Sequence, residues 1–416
     1  MTEQAPILAT QELRIEILSA LHIGTGEQLG QKDYARQGQQ VFVAKPEKLL
    51  SLVQRSSTLE RDFLAFCEDG RQSLTEFLRQ QRIRFEDVAG YSVTATGQPG
   101  RIPTFIKNVE GRPYVPGSSV KGAVRSSLLR SRVVADKAVS SAAEKAVGED
   151  LDQIRRQPHP NLSYWRKRIG GDAERTFFGK DEHHDFMRCF QFADSTPREV
   201  RELRVPEVRV LSLGANGHLY FARDPRRSDR EMRPLTPEVL PRSVELVCPL
   251  TINLYLLSSM PPATRLGFGQ KTEFVKAWLA ECNRAAHDLI QQEIEFFERH
   301  PFNGRNKMVE WYEDLRGRLG KFVTSGNQCL LHMAGASGWD AKTITDRLED
   351  GLFNDVRSTL RLNVGRPHVT EHGRAVWSNS LLPKDDSPKS RKIIFENGEP
   401  KEPLGWVQIT AKDVSR

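Results

Sequence analysis

The sequence predicts an α+β protein in which groups of strands and groups of helices follow one another. Residues 11–20 alternate apolar and polar side chains, which is the period of a half-buried strand. Residues 243–257 are the most apolar strand-like stretch, whereas residues 118–146 have the period of a long helix. Because helices and strands are grouped rather than regularly alternating, an α+β class is favoured over a doubly wound parallel sheet.

The first part of the chain is predicted to place a helical stretch between short strands. Pro46 suits the first turn of a helix, where its missing N–H costs nothing, and Gly70 is expected to interrupt the helical pattern that continues to about residue 82. The strands expected here are residues 11–20, 41–44, 91–96 and 102–106.

Further strands and an amphipathic helix are predicted after residue 172. Pro249 removes a ladder donor from the strand at 243–257, which predicts a bulge or an edge strand. From about residue 364 proline and charge increase, which predicts a looser region that ends in a strand at 406–410. The other expected strands are 186–192, 208–213 and 218–222. The buried side of the helix after residue 272 is expected to include Phe274, Trp278, Cys282, Leu289 and Phe297.

Composition limits the class of protein. The 416 residues correspond to two or three domains, and 61 basic against 54 acidic residues give a net charge of +7, compatible with an anionic partner. Five scattered cysteines without a C-x-x-C pair argue against a disulfide framework and predict a cytoplasmic protein. No apolar run approaches the ~20 residues of a membrane span, and the N-terminal residues do not resemble a signal peptide.

The stretch from Tyr114 to Arg130 is the strongest motif. Pro116 and Gly117 break the chain, and Ser118 and Ser119 are predicted N-cap residues of the helix that follows. The free N–H groups and positive dipole end of a capped helix suit a phosphate.

Three cations form a stripe along that helix. Lys121, Arg125 and Arg132 lie beside a small, apolar face, and no acidic residue interrupts residues 112–132. The cations are expected either to continue a phosphate site or merely to be the solvated side of an amphipathic helix docked on a sheet. Charge and capping alone leave these two interpretations evenly balanced.

Two more glycine-rich segments are predicted to be loops. Residues 21–26 contain His22, Gly24 and Gly26, and residues 265–272 contain Gly267, Gly269 and Lys271. Strings of the form G-x-x-x-K-T begin at Gly267 and at Gly338, but neither has the glycine directly before lysine that a P-loop needs. An NTPase is therefore not predicted, and the glycines are expected to allow close approach of the backbone to a phosphate chain.

No metal site, cofactor or catalytic constellation is predicted. His183, His184, Asp185 and Cys189 cluster without the spacing of a common zinc site. The alternatives for acid–base chemistry are His22 and, by location, Asp33, whose default role is that of a solvated loop carboxylate.

Residues 164–168 combine two aromatics with three cations. They are expected to form an exposed helix end with a buried Trp165, the favoured interpretation, or a stacking site for single-stranded nucleic acid.

Taken together, the segments 21–26, 114–122 and 265–272 resemble the signature of the RAMP superfamily of CRISPR-associated proteins. Four further stretches make the chain similar to the fifth subunit of the Csm complex, the type III-A CRISPR effector: residues 173–179, 188–195, 338–343 and 402–407. Residues 21–26, 265–272 and 332–343 are here called the first, second and third glycine segments. The third departs from that family, since residues 333–337 are poorer in glycine and lack an aromatic side chain.

The resemblance implies two ferredoxin-like (RRM-like) modules with helical insertions, here divided as residues 1–270 and 271–416. It also implies a non-catalytic RNA-binding subunit next to the repeated backbone subunit, which caps the complex at the guide RNA 3′ end. Such a subunit would assist maturation of that end, with host nucleases and target RNA as further partners.

Under this resemblance the backbone of the RNA is expected to contact Gly117, Ser118, Ser119, Lys121, Gly122, Arg125, His22, Gly24, Gly26, Gly267, Gly269 and Lys271. The alternatives are a RAMP-type endoribonuclease that uses His22 or Asp33, and a generic single-strand RNA-binding module.

Overall fold

The structure is a computed structural model. The residues it describes are 7–214, 217–224, 227–261, 263–303, 307–335, 337–362, 367–369, 375–377 and 384–414. The α-helices are α1 (Pro46–Val53), α2 (Ser57–Glu68), α3 (Leu74–Gln80), α4 (Phe85–Val88), α5 (Gly117–Ala135), α6 (Lys137–Arg156), α7 (Leu162–Trp165), α8 (Gly171–Phe178), α9 (Thr272–Lys276), α10 (Trp278–Arg299), α11 (Lys307–Ser325) and α12 (Asp350–Thr359).

The first strands are β1 (Leu8–Ile17), β2 (Gly24–Leu29), β3 (Tyr34–Gln37), β4 (Gln40–Ala44), β5 (Ala89–Ala95), β6 (Ile102–Phe105), β7 (Phe190–Phe192), β8 (Arg204–Val205), β9 (Glu207–Leu213) and β10 (Leu219–Phe221). The remaining strands are β11 (Arg223–Asp224), β12 (Arg227–Glu231), β13 (Glu245–Asn253), β14 (Gln328–His332), β15 (Pro367–Val369), β16 (Ala375–Trp377), β17 (Ser390–Glu396), β18 (Glu399–Pro403) and β19 (Trp406–Asp413). The predicted α+β class is confirmed.

A five-stranded antiparallel sheet organises the core. Its order is β14-β19-β1-β13-β7, so the strand predicted from the alternation at 11–20 lies in the middle. Leu13, Ile15 and Ile17 of β1 are fully buried, and polar residues alternate with them. Helices α5 and α10 pack against each other and against this sheet, which fixes the position of the Tyr114–Arg130 motif.

The expectation for Pro249 is wrong. β13 pairs with β1 in regular register and with β7 on its other side, so it is neither an edge strand nor bulged. The Pro249 carbonyl accepts a hydrogen bond from the N–H of Ala193, just beyond the end of β7. In an antiparallel sheet the N–H and C=O of one residue face the same neighbouring strand. The N–H that Pro249 lacks would therefore point toward β7, at a position where that short strand has already ended.

The C-terminal segment is part of the core rather than a loose extension. β19 lies between β1 and β14, and Trp406 is fully buried. The predicted looser region falls largely on residues 363–366, 370–374 and 378–383, which lie outside the described residues. Strands from both sides of residue 270 share the five-stranded sheet, and the division at that position stays a prediction.

One edge of this sheet is closed by a side chain. The amide of Asn283, on α10, donates to the carbonyl of Gln328 at 2.8 Å and accepts from the N–H of Leu330 at 3.1 Å. Both backbone groups belong to the edge strand β14, so two of its outward-facing polar groups are satisfied within the chain.

Two smaller sheets flank the core. The sheet β10-β9-β17-β18 packs against α10 and α11, and the sheet β3-β4-β5-β8 is covered by α1–α4. The hairpin strand β3 was not among the predicted strands. Trp278, Cys282, Leu289 and Phe297 are buried as predicted, and Phe274 is partly buried.

Candidate nucleic-acid interface

Helix α5, which carries the Tyr114–Arg130 motif, begins at Gly117 and has no serine as its N-cap residue. Pro116 is the N-cap residue, with extended backbone angles and no side-chain cap of its own, and the carboxylate of Asp194 accepts from the Gly117 N–H at 2.9 Å. The predicted capping role of Ser118 and Ser119 is therefore wrong, because both lie in the first turn. The Asp194 carboxylate, from a distant segment, thus occupies one of the free N–H groups at the start of α5 that were expected to suit a phosphate.

Gly117 is required by the fold. A Cβ built there would lie 2.2 Å from the carbonyl oxygen of Phe192, so the helix start could not sit on the end of β7 with any larger residue. The predicted single helix over 118–146 is in fact two: α5 and α6 meet at Asp136, whose carboxylate caps α6 by accepting from the Ala138 N–H at 3.0 Å.

Lys121 and Arg125 are only partly exposed and already have partners. The Lys121 ammonium donates to the carbonyl of Phe190 at 3.1 Å, and desolvation lowers its pKa. Arg125 pairs with Asp185 at 2.5 Å and lies 3.7 Å from the ring centroid of Phe178. Both cations thus help to hold α5 on the segment that leads into β7, which matches the interpretation of a docked amphipathic helix.

Segment 265–272 is not an open loop. It forms two short 3-10 helices joined at Gly267, whose φ of +71° is the left-handed region that favours glycine. A Cβ on Gly269 would meet the carbonyl of Leu257 at 3.4 Å. Lys271 lies 4.8 Å from the ring centroid of Phe177, and desolvation lowers the pKa of its ammonium group.

Two of the three predicted segments therefore meet at one aromatic cluster, formed by Phe177, Phe178 and Phe186. Phe177 lies 4.7 Å from Phe178 and 5.6 Å from Phe186, between ring centroids. Arg125 lies over the ring of Phe178, and Lys271 lies over the rings of Phe177 and Phe186. The predicted cations of the two regions therefore contact the same aromatic cluster.

The first segment lies elsewhere. The predicted loop at 21–26 runs into β2, which contains Gly24 and Gly26 and pairs with β6. His22 donates from Nδ1 to the carbonyl of Glu238 at 2.7 Å, and burial lowers its pKa. Its own carbonyl accepts from the N–H of Gly335, so this segment is tied to the third glycine segment instead of the other two.

Glu238 is a buried charge that sequence reasoning missed. Its carboxylate is fully buried, accepts from the Tyr91 hydroxyl at 2.6 Å and the Phe105 N–H at 2.8 Å, and pairs with Lys107 at 2.5 Å. These bonds hold β5 and β6 against the first glycine segment. No local spacing signals them, since Glu238 is more than 130 residues from Lys107 along the chain.

Arg130 is the second missed residue. It is almost fully buried on α5 and pairs with Asp288 of α10 at 2.7 Å and with Asp346 at 2.5 Å. Its guanidinium also donates to the carbonyl of Asp340 at 3.0 Å. The third glycine segment, which follows β14, is thereby fixed to the two core helices.

The alternative sites have structural explanations. Asp33 accepts from the Gly30 N–H at 2.6 Å and shapes the turn between β2 and β3. Within the described residues, no group of three or more metal-ligating side chains forms a metal site, and His184 bonds to Asp181. Trp165 is buried at the end of α7 while Tyr164 is exposed, as the favoured interpretation of residues 164–168 predicted.

No α-helix in the described part of the chain has both the length and the apolar character of a membrane-crossing segment.

Gly122 has no packing role. It is exposed in the middle of α5, and a Cβ added there would meet no described atom within 4 Å beyond its own stretch of helix. Replacing Gly122 with alanine is expected to stabilise the protein by about 0.5–1 kcal/mol, measured by chemical denaturation, because alanine loses less backbone entropy in a helix. Gly148→Ala on α6, where space is also open, is the matched control for stability. A loss of stability in Gly122→Ala but not in Gly148→Ala would contradict the absence of a packing role for Gly122.

A family model matches nearly the whole chain, whereas the curated relatives align with less than half of it. The family model described as the RAMP superfamily matches residues 14–415. The CRISPR system Cms protein Csm5 of Streptococcus thermophilus is 29% identical over 210 residues, which cover 47% of this chain and 54% of that protein. The protein of the same name from Mycobacterium tuberculosis is 30% identical over 146 residues, 29% of this chain and 39% of that protein. The alignments thus span about half of the first relative and less of the second.

Solved structures match over nearly the full length. A chain of the cryo-EM structure of the Csm-crRNA-target RNA ternary complex in the type III-A CRISPR-Cas system superposes with a TM-score of 0.61 and 19% identity, covering 96% of this chain and 100% of that chain. The crystal structure of T. onnurineus Csm5 gives a TM-score of 0.53 and 17% identity, with coverages of 95% and 99%. At these identities the likeness shows a shared fold.

Proposed function

The chain belongs to the RAMP superfamily, and from this premise we propose that it is a non-catalytic RNA-binding subunit of a type III-A CRISPR (Csm) ribonucleoprotein. In this role it caps the complex at the guide RNA 3′ end, beside the repeated backbone subunit, and assists maturation of that end. The similarity to proteins named Csm5, and to a chain of a complex that contains crRNA and target RNA, supports this assignment.

The observation that carries the RNA-binding part is one face of α5. Ser118, Lys121, Gly122 and Arg125 fall within an arc of about 100° of the helix. Ser118 and Gly122 are exposed, and both cations are partly exposed. A small residue beside two cations lets a sugar-phosphate backbone approach closely, and such contacts fix position without reading sequence, as a carrier of many guides requires.

Removing both cations from this α5 face is expected to weaken RNA binding and its salt dependence. Each contact with a phosphate of a single strand contributes about 0.7 to the slope of log K against log salt. Lys121→Ala with Arg125→Ala should therefore lower that slope by about 1.4, measured by fluorescence anisotropy with labelled single-stranded RNA.

The matched control is Lys145→Ala with Lys276→Ala, which removes the same charge at two exposed positions. If both double variants bind RNA as the unchanged protein does, and guide RNA length in the assembled complex is also unchanged, the α5 face is not a phosphate site.

The alternative function, a RAMP-type endoribonuclease, predicts that the full chain cleaves RNA. His22 is bonded through Nδ1 and largely buried, and Asp33 is bonded within its turn, which disfavours either as a free acid or base. Incubation of the full chain with labelled repeat RNA tests this directly. Cleavage that disappears in His22→Ala or Asp33→Ala would overturn the non-catalytic assignment.

We also infer that the five-stranded sheet belongs to a ferredoxin-like module. In chain order, β1, α5, β7, β13, α10 and β19 give strand, helix, strand, strand, helix and strand. Their sheet order, β19-β1-β13-β7, is that of a split βαβ unit, with β14 added at one edge. The second predicted module stays a prediction.

A further inference from the structure

Two cavities adjoin one another beside the third glycine segment. The first, of about 210 Å3, lies between β17, α10 and residues 337–341, and the second, of about 180 Å3, lies between α5, α8 and residues 339–348. Trp339 is the lining residue that the two share, and the two together are here called the Trp339 cleft. Each is smaller than the ~300 Å3 of a typical small-molecule pocket, which favours an extended ligand that occupies both in part.

The carboxylates that line the Trp339 cleft are neutralised within the protein. Glu293 pairs with Arg391 at 2.8 Å, and Glu174 lies 3.4 Å from Arg125. Burial, followed by the nearby carboxylate of Asp346, raises the pKa of Asp340 to about 7, so its carboxyl is about half protonated at neutral pH. The acidic groups therefore contribute less negative charge to the cleft than their number suggests.

The cations of the cleft are not neutralised in the same way. Lys392 lines the first cavity, and Arg166, Lys167 and Lys342 line the second. Within the described part of the chain, none of these four forms an ion pair with a carboxylate; Arg166 donates instead to the carbonyl of Leu360 at 2.9 Å. The lining of the cleft thus carries a net positive charge.

Lys342 and Lys392 place one exposed cation in each of the two cavities. Lys392 lines the first cavity and Lys342 the second, and Trp339 lines both. Desolvation, followed by the charge of Lys392, lowers the pKa of Lys342. An anionic chain that occupies both cavities would gain a charge-assisted contact in each.

Trp339 supplies a different kind of contact. Its indole N–H donates to the hydroxyl of Thr345 at 2.5 Å, so its one polar group is satisfied within the chain and the ring is held in place. The side chain remains partly exposed between the two cavities. An oriented, partly exposed indole beside unpaired cations has the composition of a binding surface for single-stranded nucleic acid, where bases stack and phosphates meet charge.

We propose that a single-stranded RNA segment lies along the Trp339 cleft, with backbone phosphates at Lys342 and Lys392 and a base stacked on Trp339. This inference rests on the proposed RNA-binding function and extends it, because Arg125 of the α5 face lines the second cavity. The strand would run from that face into the cleft, past Trp339, Lys342 and Lys392, none of which is among the RNA-contact residues expected from the sequence.

The test uses the full chain, alone and in the assembled complex, with a short labelled single-stranded RNA of mixed sequence. Lys342→Ala with Lys392→Ala is expected to lower affinity roughly tenfold at physiological salt and to reduce the salt slope by about 1.4. Trp339→Ala is expected to lower affinity about fivefold or more without changing the slope, whereas Trp339→Phe retains a stacking ring and should bind nearly as the unchanged protein does.

The control is the pair Lys145→Ala and Lys276→Ala, and melting temperatures confirm that each variant folds. RNA binding that is intact in the Lys342/Lys392 and Trp339→Ala variants overturns the cleft but leaves the proposed function standing. Absence of RNA binding by the unchanged protein, in both preparations, overturns the proposed function and the cleft together. Equal losses in the cleft and control pairs also overturn the cleft, because they would reflect net charge alone.

Discussion

Replacing Arg130 with methionine is expected to lower the free energy of unfolding by about 3 kcal/mol or more, because it leaves carboxylates buried without their main partner. Arg130 is 2% exposed and pairs with both Asp288 and Asp346. Arg347 also contacts these two carboxylates, at 2.9 Å each, and therefore holds the loss at the lower end of the range for broken buried pairs.

Chemical denaturation measures this effect, with Arg132→Met as the control. Arg132 lies two residues further along α5, is partly exposed, and pairs with Asp136 within its own turn. Its replacement should cost less than about 1 kcal/mol, as expected for a surface pair. Similar losses for both variants would show that Arg130 acts as an ordinary helix residue and not as the anchor of the third glycine segment.

The Arg130 variant also has a consequence for binding. Arg130 donates to the carbonyl of Asp340, next to Trp339, and pairs with Asp346 at the far end of the same segment. Loss of these bonds frees the segment that carries Trp339 and Lys342, so RNA affinity should fall together with stability.

Removal of the Glu238 carboxylate is expected to produce a loss of similar size, about 3–5 kcal/mol for Glu238→Leu. The change leaves the Lys107 ammonium, 15% exposed, without its counter-ion, and it leaves the Tyr91 hydroxyl and the Phe105 N–H without an acceptor. The double variant Lys107→Met with Glu238→Leu should recover part of the loss, since the uncompensated buried charge is then gone.

An exposed pair of the same residue types provides the comparison. Glu273 and Lys276 lie 3.0 Å apart on the surface, with side chains that are 87% and 60% exposed. Glu273→Leu should change stability by less than about 1 kcal/mol. If Glu238→Leu costs no more than Glu273→Leu, the buried network does not hold β5 and β6 in place.

Short-range patterns were sufficient for much of the fold. The alternation around Leu13 located the central strand, and Pro46 located the start of α1, because each signal arises within a few residues. The same reasoning failed at Ser118, where a local cap was expected. The oxygen that accepts from the first N–H of α5 belongs to Asp194, which is 77 residues from Gly117 along the chain. No local sequence pattern predicts this contact.

The predicted site residues show the same limit. Sequence patterns identified Lys121 and Arg125 as neighbours on one helix face, which the helix period alone determines. They did not reveal that Arg125 is paired with Asp185, or that Lys342 and Lys392, from separate segments, line two cavities that share Trp339. Which cations are neutralised and which are left free depends on tertiary packing.

The side chain of Asn283 has a consequence for assembly. Its amide donates to one strand residue and accepts from the next but one, and so imitates a peptide group of an additional strand. A strand from another molecule could join β14 only by displacing both bonds. At Gln328 and Leu330 the edge of the sheet is thus protected against edge-to-edge pairing with another chain, and a single amide provides that protection.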